Sequence, residues 1–225
     1  YRPLEAIVDI ATLAAALAAL VEPHPWPEEL LAARRKAATR AAGPGLSPLR
    51  LIEELRSVFP EDGLVTCDVG AHKLLMGQFW RARRPGTFFM SNGLSGMGFG
   101  LPAAMAAQLA CPGRAVMTVA GDGGMLMMLH DLALMRELNL PLIVVVFSDS
   151  SLSLIRVSQQ RKGLPAYGVD FRAPDFAAIA RAFGLRGERA ESAGAARREI
   201  ERALNDRAPL VLDVPVDSGE YYDLV

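Results

Sequence analysis

The sequence predicts an α/β fold, a doubly wound parallel sheet with helices on both faces. Three observations carry this. Residues 115–120 (AVMTVA) and 142–147 (LIVVVF) are unbroken apolar runs, the mark of strands buried on both faces. The stretch between them is long enough for a crossover helix, which parallel neighbours require. Elsewhere, short apolar runs alternate with helical patterns, the order that builds βαβ units with right-handed crossovers.

The elements follow in order. Residues 4–10 (LEAIVDI) read as a short strand and 11–21 as an Ala/Leu-rich helix. Pro23, Pro25 and Pro27 break the pattern, and Pro27 suits the first turn of a further helix over 28–42. Gly43-Pro44-Gly45 is the strongest candidate boundary, dividing a leading segment 1–45 from a main domain 46–225. Ser47 is a candidate N-cap with Pro48 at the first helical position, opening a helix to Phe59. Then come a strand at 64–68, a helix at 71–83 and a strand at 87–90. A glycine-rich stretch at 93–100 opens a helix ending near Ala110, and the crossover helix spans 125–138. Further helices are expected at 152–160, 174–183 and 195–206, with a last strand at 210–214.

Composition narrows the function. The chain has 225 residues, 51% apolar and 22% charged, ample for a buried core. A formal net charge of -1 carries no nucleic-acid footprint. No run reaches the roughly 18 apolar residues of a membrane span. Cys67 and Cys111 lack metal-ligand or redox spacing and read as buried, reduced thiols of a cytoplasmic protein. The chain opens Tyr1-Arg2-Pro3, with neither initiator Met nor basic leader, and reads as part of something longer.

Open parallel sheets bind ligands beyond the carboxyl ends of their strands. Two carboxylates stand there: Asp122 in Gly121-Asp122-Gly123-Gly124, and Asp149 in Ser148-Asp149-Ser150-Ser151. They are 27 residues apart, the length of one crossover. On neighbouring strands, about 5 Å apart, they can share a cation. Mg²⁺ takes octahedral oxygen ligation, here two carboxylate oxygens, the Ser151 carbonyl, two phosphate oxygens and a water. Gly121, Gly123 and Gly124 leave backbone N–H groups to face phosphate where a helix begins. Two such acids without a cation would repel. The plainer alternative makes Asp122 a helix cap and Asp149 a turn residue.

These motifs resemble the thiamine-diphosphate (ThDP) dependent decarboxylase and acetolactate synthase family, in its diphosphate-binding (PP) domain. Its Gly-Asp-Gly is intact here, and Asp149 stands where Asn is usual. Asp68-Val69-Gly70-Ala71-His72 resembles the segment after the first PP strand. The likeness makes His72 a diphosphate contact and puts Ala71 where Gln is frequent. The run 91–104 (SNGLSGMGFGLPAA) resembles the acetolactate synthase loop. The resemblance implies that Met97 is the apolar wedge bending the cofactor into a V, and that the Ser95 carbonyl, beside Gly96, accepts from the aminopyrimidine. It also makes Leu154 and Ile155 substrate-facing and puts Ser158 where biosynthetic relatives carry Trp. The run 208–217 resembles the last strand, and the first 42 residues the end of a central domain and linker.

The function so implied is a carboligase that decarboxylates pyruvate or a related 2-keto acid and forms a C–C bond, with ThDP and Mg²⁺ as cofactors. A simple 2-keto acid decarboxylase is the alternative. The activating Glu of the family belongs to a pyrimidine-binding domain, and no residue of this chain takes that catalytic place. The chain therefore requires that domain or subunit, in a homo- or hetero-oligomer. Two other readings compete. Gly98-Phe99-Gly100-Leu101-Pro102-Ala103 fits a dinucleotide fingerprint, with Asp122 as the ribose-binding acid. A ThDP-type fold serving only assembly is the other.

Overall fold

The computed structural model describes residues 10–20 and 46–224. The chain divides into two compact units, 1–36 and 37–225. The described part of the first is one helix, α1 (Ile10–Leu20). Ile10, expected to end a strand, is its first residue. The rest of that expected strand and the helix at 28–42 lie outside the described residues.

The second unit is built on six parallel strands: β1 (Leu64–Cys67), β2 (Phe88–Met90), β3 (Val116–Gly121), β4 (Leu142–Ser148), β5 (Arg186–Arg189) and β6 (Leu210–Pro215). Their order is β2-β1-β3-β4-β6-β5, every pairing parallel. The central strands β3 and β4 are buried on both faces, as their unbroken apolar sequence requires. Alternate side chains divide between two cores. Met117, Val119, Ile143 and Val145 face α2 (Pro48–Val58), α3 (Ala71–Phe79) and α9 (Ala193–Asp206). Val116, Ala120, Val144 and Val146 face α4 (Gly100–Ala110), α6 (Asp131–Glu137) and α8 (Phe176–Ala182).

Local chemistry sets most boundaries. Ser47 caps α2 by accepting from the Arg50 N–H at 3.1 Å, with Pro48 next. Asp175 caps α8 through the Ala178 N–H at 2.8 Å. Three expectations change. The helix expected to run to Arg83 stops at Phe79, because Trp80 turns extended and buries its ring between Phe59 and Phe88. The single helix expected at 125–138 is two, α5 (Asp122–Met127) and α6. The break drives Met128 into the core, 1% exposed. Strand β5 carries no apolar signal: its sequence RGER forms an edge, and a Cβ on Gly187 would overlap the Ala177 carbonyl of α8. Cys67 is buried and Cys111 half-buried, so only the first of the two expected buried thiols is one. Among the described residues no helix is long and apolar enough to cross a membrane.

Candidate functional site

The strand pairing brings the two acidic turns together. Gly121 lies opposite Phe147 in the β3–β4 ladder, so Asp122 and Asp149 leave the sheet side by side. Asp122, 2% exposed, is held by backbone alone. Its Oδ2 accepts from the N–H groups of Asp149 at 3.1 Å and Ser150 at 2.6 Å, and its Oδ1 from Gly123 at 2.8 Å. Ser150 makes this possible: its φ of 58° turns two successive N–H groups toward one point. Asp149 accepts from the Ser151 N–H at 3.0 Å and the Ser153 hydroxyl at 2.6 Å.

An ionised carboxylate offers about four acceptor positions. Both acids therefore keep acceptor capacity. Burial, then the neighbouring Asp149 charge, raises Asp122 from 3.8 to about 6. Burial likewise raises Asp149. This pair is costly by itself and is relieved by a cation. Yet no group of three or more His, Cys, Asp or Glu is gathered among the described residues. A cation here could be held by two carboxylates and the Ser151 carbonyl, to which no described residue donates. Its other ligands must come from elsewhere, and Mg²⁺ suits that arrangement because it completes its shell with phosphate and water.

Opposite the acids stands His72, in the first turn of α3 and 3% exposed. Burial lowers it to about 4 despite the nearby Asp68, so the imidazole is neutral at pH 7. Its Nε2 is buried and has no hydrogen-bond partner, and His72 lines the cavity, so the atom is open to a group that enters it. Gly70 is required beside it: a Cβ there would stand 2.7 Å from the imidazole ring. Gly121, Asp122, Gly123, Gly124, Asp149, Ser151, His72 and Met97 share one cavity of about 290 Å³. Ser151 Oγ is a second buried atom without a partner. Leu154 and Ile155, from α7 (Ser153–Arg161), line the same cavity.

Three expected residues stand apart. Ser158 is exposed and not in the cavity wall. Ser95 and Gly96 are outside it too. Ser95 has a φ of 52°, and its hydroxyl is held 3.1 Å from the Lys73 ammonium, which also bonds the Ser91 carbonyl. One expectation for the glycine turn changes as well. The Gly123 N–H is already given to Asp122 Oδ1, so it is not free for phosphate.

Sequence reasoning missed Asp68. Fully buried at the end of β1, it accepts from three consecutive N–H groups: Gly98 at 3.0 Å, Phe99 at 2.9 Å and Gly100 at 3.1 Å. It anchors the segment carrying Met97. Gly124 is glycine for the same reason, because a Cβ there would overlap Asp68 Oδ2. The position of Asp68 at a strand end was the available signal. This bonding also disposes of the dinucleotide reading, since the N–H groups that would cradle a pyrophosphate are occupied by Asp68.

Residues 68–214 match the family described as "Thiamine pyrophosphate enzyme, C-terminal TPP binding domain". The chain is 34% identical over 177 residues to the acetolactate synthase of Bacillus subtilis (strain 168), covering 79% of this chain and 31% of that protein. It is 32% identical over 217 residues to the acetolactate synthase isozyme 2 large subunit of Escherichia coli (strain K12), covering 94% and 39%. The chain thus spans about a third of the length of such curated relatives. In fold it is similar to benzoylformate decarboxylase from Polynucleobacter necessarius, with a TM-score of 0.71, 23% identity, and coverage of 80% of this chain and 34% of that one.

Proposed function

The chain belongs to the thiamine pyrophosphate enzyme family, and on that premise we propose that it holds the Mg²⁺–diphosphate end of ThDP in an acetolactate synthase-like carboligase. The observation that carries this is the pair Asp122–Asp149 facing the unpartnered Nε2 of His72 across one cavity. Asp122, Asp149 and the Ser151 carbonyl would hold Mg²⁺. His72, neutral at pH 7, would stand against the diphosphate through its unpartnered Nε2. Met97 would set the bend of the cofactor, with the Ser95 carbonyl toward its aminopyrimidine. Leu154 and Ile155 would receive the apolar side of the substrate.

When bound, ThDP supplies an acidic carbon that adds to the keto group of a 2-keto acid and stabilises the charge left when carbon dioxide departs. The residues here bind and orient; none moves a proton. The proton-activating Glu would come from the pyrimidine domain, so this chain alone would be inactive. Residues 46–225 would be the PP domain and 1–45 the end of a central domain. The 34% identity to a Bacillus subtilis acetolactate synthase supports the acetolactate synthase-like reading, with pyruvate or a related 2-keto acid as the expected substrate. Ser158, standing where biosynthetic relatives carry Trp, argues against that specialised activity.

Calorimetric titration of the full-length protein with ThDP tests this. Binding should require Mg²⁺ and fall at least about a hundredfold in Asp122→Ala, which removes one of two charged ligands. Metal-independent binding, or an Asp122→Ala variant that binds normally, would sink the proposal.

A further inference from the structure

One polar group in the cavity wall remains without work. Tyr221 follows the last strand, in a short C-terminal helix α10 (Glu220–Leu224) that sequence patterning did not reveal. The family match ends at residue 214, before this helix. The Tyr221 side chain is 2% exposed, in the core cluster that includes α3, and its helix packs against α3 and α7. It lines the cavity together with His72, Asp122 and Asp149. Its hydroxyl is not one of the fully closed-off, unpartnered buried atoms, which fits an opening onto the cavity that the residue lines. A buried tyrosine normally satisfies its hydroxyl, so the open partner position lies on the cavity side.

The tyrosine is held there deliberately. Glu220, itself 2% exposed, accepts from the Ser47 hydroxyl at 2.6 Å and the Leu49 N–H at 3.1 Å. Those bonds tie α10 to the start of α2. The preceding strap is fixed too: the Val216 N–H donates to the Ser148 carbonyl at 3.0 Å, and the Asp217 N–H to Leu46 at 2.9 Å. Tyr221 thus enters the site with little freedom to leave.

We propose that Tyr221 is a further diphosphate-binding residue, its hydroxyl donating a hydrogen bond to a phosphate oxygen beside the shared cation. This rests on the ThDP reading of the site. The chemistry agrees in kind. A phosphate oxygen needs donors, and a site with two carboxylates has few. Burial and the charges of Asp149 and Asp122 keep the phenol protonated far above neutral pH, so it stays a donor. It would donate to the anion where the carboxylates would otherwise repel it.

The test uses the full-length protein, wild type and Tyr221→Phe, titrated by calorimetry with Mg²⁺–ThDP and with Mg²⁺–pyrophosphate, which lacks the organic rings. Removing the hydroxyl should weaken both by about tenfold, the effect of one charge-assisted hydrogen bond. Thermal melting should be unchanged, since the ring stays. Glu220→Gln, which loosens α10 without touching the ligand, should weaken both by about threefold. Unchanged affinity in Tyr221→Phe would overturn the assignment. So would weaker ThDP binding with pyrophosphate unaffected, because the hydroxyl would then read the rings. If the wild type binds neither ligand, the reading of the whole site falls, not Tyr221 alone.

Discussion

The acidic turns after β3 and β4 and the loop from Ser91 to Phe99 face one cavity, but they are built differently. The turns are buried and closed on themselves. Asp122 accepts only from backbone N–H groups of its own and the adjacent turn, and Asp149 from Ser151 and Ser153. The loop is open. Leu94 at its tip is fully exposed, Gly93 and Gly96 would meet nothing within 4 Å if they carried a Cβ, and two side chains of the neighbouring segment hold it. Asp68 grips its end and Lys73 its middle. The difference teaches which half of the site this chain makes alone. The acidic turns close on their own hydrogen bonds. The loop leaves Leu94 exposed, and under the proposed function a pyrimidine domain would cover it.

Breaking the loop's anchor should have the largest effect. Asp68→Ala removes three hydrogen bonds to a carboxylate and strands their donors. We expect a loss of about 3–4 kcal/mol, read as a lower urea midpoint. A smaller loss would mean that the loop finds other acceptors.

The pH dependence of metal binding sharpens the other half. Asp122 has a pKa of about 6 in the cation-free fold against an ordinary 3.8. The fold binds this proton more tightly than the unfolded chain does. The stabilisation is fully present below pH 3.8 and is lost as pH rises through about 6. Mg²⁺ needs the ionised carboxylate, so its affinity should run the other way, rising to about pH 6 and flattening above. Calorimetry with Mg²⁺–pyrophosphate from pH 5 to 8 checks this; a flat profile would remove Asp122 from the metal site.

Lys73→Met tests the loop alone. The ammonium is buried, so its removal relieves desolvation while losing two bonds. Global stability should stay within about 1 kcal/mol. Amide hydrogen exchange should quicken over residues 92–97 and not in the acidic turns. Equal quickening in both would mean that the halves are not independent.

Asp149→Asn should have the smallest effect. It keeps the side chain's shape and one carbonyl oxygen, and it removes a charge that both attracts Mg²⁺ and repels diphosphate. Affinity for Mg²⁺–ThDP should change less than about threefold. The pH midpoint should fall, because Asp149 is the second cause holding Asp122 up. A tenfold loss would show that the cation needs both charges.

Sequence patterning by itself pointed to the parallel sheet, because β3 and β4 are continuous apolar runs joined by one crossover and the other elements alternate. It also determined the acidic pair, since strand ends face the ligand side and one crossover separates them. Ser47 and Pro48 were legible because a cap is a local event. Only the tertiary structure decided the rest. β5 is polar and exists through its pairing with β6. The break between α5 and α6, which sets Met128 into the core, has no signal in the local pattern. Asp68 reaches across to Gly98, Phe99 and Gly100, and Tyr221 reaches the cavity only because Glu220 ties its helix to Ser47 and Leu49. These contacts join residues from 30 to 173 positions apart. Patterning reads neighbours along the chain, and such pairs become neighbours only when the sheet assembles.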